Sequence, residues 1–390
     1  MDIAGGKEIR IESMRRILIT QQIEDLAKLY AKRLEYGGDF AKGNAPKDKL
    51  KMLASVLGKS STKISVLKNK ATKGHPATYT KYKGDSFLII SKYVQTILDK
   101  YDGLNNLLPS QYDSFIGSKL KSIIVGAEPS DIKVKIRKKR ESTLSDLIVE
   151  AMGYSKVQSS IMPKYIRDLG IKTCVYCNAQ FATTALLQTI KILKKSALIK
   201  NEAMACYELD HNKPKSKYPY LCTNFYNLQP SCSSCNRRKG DRELQFSLYY
   251  EDIQDDSSRP VHFALNGEDL IRFRATNKCD GIKVFLCNNS KDVSPPLADT
   301  TSIAGELNTK LGIQSVYDEH SDVVEEILWK HKIYSSGLVS ALSSQLPSLG
   351  IAGFDVKRFI LGGYYTREND FLKRPLSVLK EDLWEQLERK

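Results

Sequence analysis

The stretch from Cys206 to Asp241, CYELDHNKPKSKYPYLCTNFYNLQPSCSSCNRRKGD, decides how the rest of the chain is read. It contains an adjacent Asp210-His211 pair, then Asn227, then Cys232-Ser-Ser-Cys235 followed at once by Asn236. These side chains suit metal-assisted cleavage of a phosphodiester. Such cleavage needs a divalent ion on hard oxygen ligands, with positions left open for phosphate oxygens and water. Asp210 and Asn236 are candidates for those ligands. It also needs a neutral imidazole to accept a proton from the attacking water, and the unperturbed histidine pKa suits that task. His211 is the candidate base. On a strand, neighbouring residues point to opposite sides, so strand and loop together must aim Asp210 and His211 into one site. Asn227 reads as a brace whose amide ties down the loop between strand and helix, while a backbone carbonyl fixes the imidazole tautomer.

The run Asp210-His211, Asn227-Leu228-Gln229-Pro230 and Cys232 to Gly240 resembles the HNH, or ββα-metal, nuclease family in its Asp-His, Asn, Asn variant. The likeness covers about 70 residues and leaves the flanking chain unassigned. It implies that His211 is the general base and that Asn227 braces the loop. It further implies that Asn236, with Asp210, holds Mg²⁺ or Mn²⁺.

The cysteines bear on the same site. Cys174-Val-Tyr-Cys177 and Cys232-Ser-Ser-Cys235 are two Cys-x-x-Cys pairs separated by 54 residues. Each pair presents two thiolates, and two pairs complete a tetrahedral structural zinc site. Disulfides or unligated core cysteines are the alternative. Cys206, Cys222, Cys279 and Cys287 lack this spacing and read as small buried hydrophobes.

At 390 residues, 41% hydrophobic and 27% charged, the chain is globular and long enough for two or three domains. The net charge of +15 is unevenly spread: residues 1–150 hold 28 Lys+Arg against 17 Asp+Glu, residues 151–245 hold 15 against 6, and residues 246–390 hold 17 against 22. Basic charge around a candidate nuclease site fits a polyanion, because phosphate contacts supply most non-specific affinity. A lysine-rich soluble surface would look the same by charge alone. No apolar run approaches 18 residues and the N-terminus is polar, so a cytoplasmic protein with reduced thiols and no membrane association is expected.

The expected fold class is α+β: a mainly helical chain with a central ββα-metal core and a small antiparallel sheet. Residues 1–150 read as a basic helical domain, with helices over 8–36, 47–57, 86–101 and 111–124. The run Lys133 to Arg140 is either a phosphate-contacting arm or a solvated linker. Residues 151–245 form the nuclease core. Within it, Leu186, Leu187, Ile190, Leu193 and Leu198 suggest an amphipathic helix inserted before a strand over 207–211. A helix starting near Ser231 carries Asn236, and Arg237, Arg238, Lys239 and Lys213 are the candidate phosphate contacts. Residues 246–390 read as a small sheet built from Val261–Leu265, Ile271–Ala275 and Ile282–Cys287. A break at Ser294-Pro295-Pro296, a long helix over 316–343 and a last helix from Ser377 follow.

Taken together, these features predict a metal-dependent HNH endonuclease that hydrolyses DNA, with catalytic Mg²⁺ or Mn²⁺ and structural Zn²⁺. The alternatives are a zinc-stabilised nucleic-acid-binding module without turnover, an RNA-directed nuclease, and a restriction or mobile-element nuclease. An HNH core followed by a helical C-terminal region is similar to the nuclease effectors of bacterial anti-phage systems of the Septu and retron types. That resemblance implies a separate ATPase partner, because the chain has no Walker-type phosphate loop. The acidic C-terminal third would suit docking to it.

Overall fold

In this computed structural model the described residues are 16–73, 75–81, 86–119, 127–136, 140–193, 196–251, 260–288, 301–349, 355–363 and 370–389. The chain enters the core through the helix Gln21–Tyr36, whose Ile23, Leu26, Ala27, Tyr30, Ala31 and Leu34 recur at helical spacing and are all buried. Gly37 ends it at φ 64, donating its N–H to the Leu34 carbonyl at 3.2 Å. A Cβ there would lie 2.7 Å from that of Ala45, so the stop needs glycine. Residues 8–15 of the expected helix lie outside the described residues, and its next part is not helical, since Ile17–Leu18 pairs as a parallel strand with Tyr249–Tyr250. Helices Pro46–Leu57 and Ser86–Asp99 match their expected positions, and Tyr112–Lys119 covers the described part of the fourth.

The first region is not purely helical. A four-stranded antiparallel sheet runs in the order Thr78–Lys81, Lys63–Asn69, Ile132–Lys135 and Ser142–Thr143. Its pairing buries Ile64, Ile132 and Val134, an alternation that short β-branched segments satisfy better than a helix does. The strand Ile132–Lys135 therefore absorbs the start of the basic run. Lys133 lies 3.8 Å from the Tyr79 ring centre and 3.8 Å from Glu141, while residues 137–139 of that run lie outside the described residues.

Three further expectations are corrected. The segment expected as an amphipathic helix is a ribbon of two antiparallel strands, Thr184–Leu193 and Ser196–Ala205, paired over ten residues each. The spacing of Leu186 and Ile190 fits either period, and the local excess of Thr and Ile favours the strand. Ile271–Ala275 belongs to the helix Gly267–Thr276, because Asn266 caps it by accepting the Glu268 N–H at 3.1 Å; the sheet keeps only His262–Leu265 and Val284–Cys287. The long helix is three: Ile313–Asp318, Ser321–Ile333 and Ser336–Gln345. His320 stands at the first break and His331 packs edge-on against Trp384 at 5.0 Å. The last helix, Ser377–Glu388, buries Leu379, Leu383, Trp384 and Leu387. The expected break at Ser294-Pro295-Pro296 lies outside the described residues.

Buried apolar residues from Ile17 to Leu387 join in one connected core. The N-terminal region reaches into the loop that precedes the second site strand. Tyr30 donates to the Thr223 carbonyl at 2.7 Å, Tyr112 donates to Asn224 Oδ1 at 2.6 Å, and Phe225 N–H donates to the Asn105 carbonyl at 2.8 Å. Among the described residues no helix is long and apolar enough to cross a membrane.

Candidate active site and zinc cluster

Two short antiparallel strands, Glu208–His211 and Leu228–Ser231, pair in the register Glu208 with Ser231 through His211 with Leu228. The helix Ser233–Lys239 follows directly, capped by Cys232, whose sulfur accepts the Cys235 N–H at 3.5 Å. A cysteine cap serves two ends here: it starts the helix and directs a thiolate at the other knuckle. That knuckle, Cys174 to Cys177, docks on the second strand through Val175 N–H to the Pro230 carbonyl at 3.2 Å.

The sulfurs of Cys174, Cys177, Cys232 and Cys235 lie within 4.8 Å of one another and are buried. Cys177 and Cys232 sulfurs are 4.0 Å apart, too far for a disulfide. Zn–S bonds of about 2.3 Å in a tetrahedron put sulfurs roughly 3.8 Å apart, so the four-thiolate donor set is compatible with zinc. Of the other cysteines, Cys222 and Cys287 are buried as expected, whereas Cys206 is exposed and Cys279 half-buried.

Alternation along the first strand divides the site. Glu208 and Asp210 reach the helix through Asn236 and Lys239, while the His211 ring reaches the loop at Cys222. Asp210 is buried, and each carboxylate oxygen has a partner: Oδ2 accepts the Tyr176 hydroxyl, and Oδ1 lies 3.3 Å from the Lys239 ammonium. Lys239 also donates to the His211 carbonyl at 2.7 Å. Burial pushes the Asp210 carboxyl upward, and Lys239 and Tyr176 pull it back. Asn236 donates through Nδ2 to Glu208 Oε2, which leaves Oδ1 as the amide atom able to ligate.

His211 is buried against the Tyr154 ring at 4.9 Å, with its Nε2 3.0 Å from the Cys222 carbonyl. A carbonyl only accepts, so Nε2 carries the hydrogen and Nδ1 keeps the lone pair. Burial, then the positive charge of Lys215, lowers its pKa to about 3, and the ring is neutral across the physiological range. Asn227, fully buried, accepts the Lys213 N–H at 2.7 Å and donates to the carbonyls of Lys213 at 3.1 Å and Leu221 at 2.9 Å. Its amide thus closes the loop between the two strands.

The four expected phosphate contacts fare differently. Arg237 and Arg238 are exposed, with Arg238 donating to the Leu311 carbonyl at 2.9 Å. Lys213 pairs with Glu243 at 2.8 Å. Lys239 is 1% exposed and turned inward to Asp210 rather than outward to a phosphate. Sequence reasoning passed over Tyr176, Glu208 and the carbonyl of Cys222. Glu208 was detectable, because it sits two residues before Asp210 on the same strand face; the roles of the other two depend on tertiary contact.

Residues 174–242 match the family model of the HNH endonucleases. The chain carries an HNH endonuclease domain. Both knuckles, the two strands and the capped helix all lie within the matched HNH residues. The Septu protein PtuB of Bacillus thuringiensis is 35% identical over 106 residues, covering 26% of this chain and 34% of PtuB. The chain therefore matches about a third of the length of that curated relative. No solved structure matches.

Proposed function

We propose that the HNH domain hydrolyses DNA phosphodiester bonds, with His211 as general base and Asp210 and Asn236 holding Mg²⁺ or Mn²⁺. The observation that carries this reading is the hydrogen bond from His211 Nε2 to the Cys222 carbonyl, which commits the neutral ring to act through Nδ1. Donors on the helix side are hard oxygens, from Asp210, Glu208 and Asn236, and suit a divalent ion of that kind. Such an ion, when bound, neutralises charge developing on the phosphate. His211 takes the proton of the attacking water, Asn227 keeps the loop that carries Cys222 in place, and the exposed Arg237 and Arg238 bind backbone phosphates.

A supercoiled plasmid incubated with and without Mg²⁺, beside His211→Ala, tests the assignment. The expected result is Mg²⁺-dependent nicking or linearisation, reduced by on the order of 10²- to 10⁴-fold in the variant. Equal nicking by both proteins removes His211 from the chemistry, and no cleavage by either favours the binding module without turnover. A labelled RNA cut in preference to DNA moves the substrate to RNA.

The Septu relative supports a place for the chain among the effectors of bacterial anti-phage defence, acting in the cytoplasm, where reduced thiols can hold zinc. The acidic C-terminal third is the surface proposed for a separate ATPase partner. Co-elution of the full chain with an ATPase encoded beside it supports that arrangement, and independent elution overturns it.

A further inference from the structure

Tyr176 lies between the two cysteines of the first knuckle, yet its hydroxyl leaves the thiolate cluster and donates to Asp210 Oδ2. Both groups are buried: Tyr176 is 7% exposed and Asp210 5%. The phenol is held in place from several sides. Its ring packs at 5.8 Å against Phe246, and Gln229 Nε2 donates to its oxygen at 3.4 Å. Gln229 is itself the register partner of Asp210 and accepts the Leu248 N–H at 2.7 Å.

The knuckle around Tyr176 is anchored on both flanks. Val175 N–H bonds the Pro230 carbonyl, and Tyr317 donates to the Cys177 carbonyl at 2.6 Å. Asn178 donates to the Phe371 carbonyl at 2.8 Å and accepts from Val378 N–H at 3.2 Å. With the thiolates on zinc, Tyr176 projects from a part of the chain that has little freedom to move. Asp210 sits on a four-residue strand paired with Leu228–Ser231, and its other carboxylate oxygen, Oδ1, lies 3.3 Å from the Lys239 ammonium.

We infer that Tyr176 is a positioning residue, through which the four-cysteine cluster sets the orientation of the Asp210 carboxylate for a divalent cation. The inference rests on the assignment of Asp210 as a ligand of the catalytic ion. In this arrangement the phenol fixes Oδ2 and leaves Oδ1, now shared with Lys239, as the oxygen that meets the ion. Partners that orient a ligating carboxylate typically contribute about 10- to 100-fold in metal affinity.

The test compares Mn²⁺ binding by calorimetry to wild type, Tyr176→Phe and Asp210→Asn, with zinc content and thermal midpoint measured for each. Tyr176→Phe keeps the ring against Phe246 and removes the hydroxyl, with both its donation to Asp210 and its acceptance from Gln229. The expected result is Mn²⁺ affinity weakened about 10-fold or more, with zinc content and midpoint close to wild type. Wild-type Mn²⁺ affinity in Tyr176→Phe, with binding lost in Asp210→Asn, overturns the positioning role and leaves the ligand assignment standing. Wild-type affinity in Asp210→Asn instead overturns the ligand assignment. Loss of zinc from Tyr176→Phe makes the tyrosine part of the fold of the knuckle, which also overturns the inference.

Discussion

The ammonium of Lys239 lies 3.3 Å from Asp210 Oδ1, with 1% of the lysine side chain and 6% of the aspartate side chain exposed. An ion pair this deep is costly to break from one side, because the remaining charge stays out of water without a partner. Lys239→Met should therefore destabilise the zinc-loaded chain by about 3 kcal/mol when no other divalent ion is added. Mn²⁺ should restore part of that loss by supplying the missing positive charge. Urea denaturation of the zinc-loaded chain without and with added Mn²⁺ measures both effects, and equal loss in the two conditions removes Asp210 as an ion ligand.

His211 links protonation to stability. Unfolded, an imidazole titrates near 6.5; folded, burial holds this one at about 3. Between those values the unfolded chain binds more protons, so this contribution is fully present above pH 6.5 and is lost as pH falls toward 3. The full interval corresponds to on the order of 5 kcal/mol. Denaturation midpoints at pH 7 and pH 5 should drop more in wild type than in His211→Asn, and parallel drops would contradict a buried neutral imidazole.

Asn227 satisfies one N–H and two carbonyls of the loop between the strands. Asn227→Ala strands all three groups in the interior, at about 1–3 kcal/mol for each that finds no water. A destabilisation of roughly 3 kcal/mol or more is expected by urea titration. Asn227→Asp should fare no better, since its carboxylate faces the two carbonyls the amide had bonded.

Cys174→Ser and Cys232→Ser each remove one thiolate from the cluster. Structural zinc contributes directly to folding, with binding free energies of about 10 kcal/mol or more in small zinc modules. Both variants should lose bound zinc in metal analysis and melt at lower temperature, and a chelator should reproduce this in wild type. Full zinc content in either variant would mean that the ion is held elsewhere.

The first site strand, the helix carrying Asn236 and the four thiolates were legible in the sequence because each rests on short-range spacing, whereas the second strand, Leu228–Ser231, emerges from its pairing with Glu208–His211. Two residues between cysteines make a knuckle, and Asn236, next after Cys235, lies on the helix that Cys232 caps. Longer elements were less legible. Leu186, Ile190 and Leu193 satisfy helical spacing and also sit on a strand, and only pairing with Ser196–Ala205 selects the latter. The break at His320 divides an apolar stripe that reads as continuous when its partners are unknown.

By itself the sequence determined the inventory of the site: a carboxylate, an imidazole, two carboxamides and four thiolates, at spacings that local backbone geometry turns into a strand, a helix and two knuckles. Tertiary structure decided how those groups are charged and aimed. The Cys222 carbonyl selects the His211 tautomer, Lys239 turns inward to Asp210, and Tyr176 extends the cysteine cluster to the same carboxylate. Those relationships depend on burial and on partners distant along the chain, and electrostatic interactions gain strength only where water is excluded.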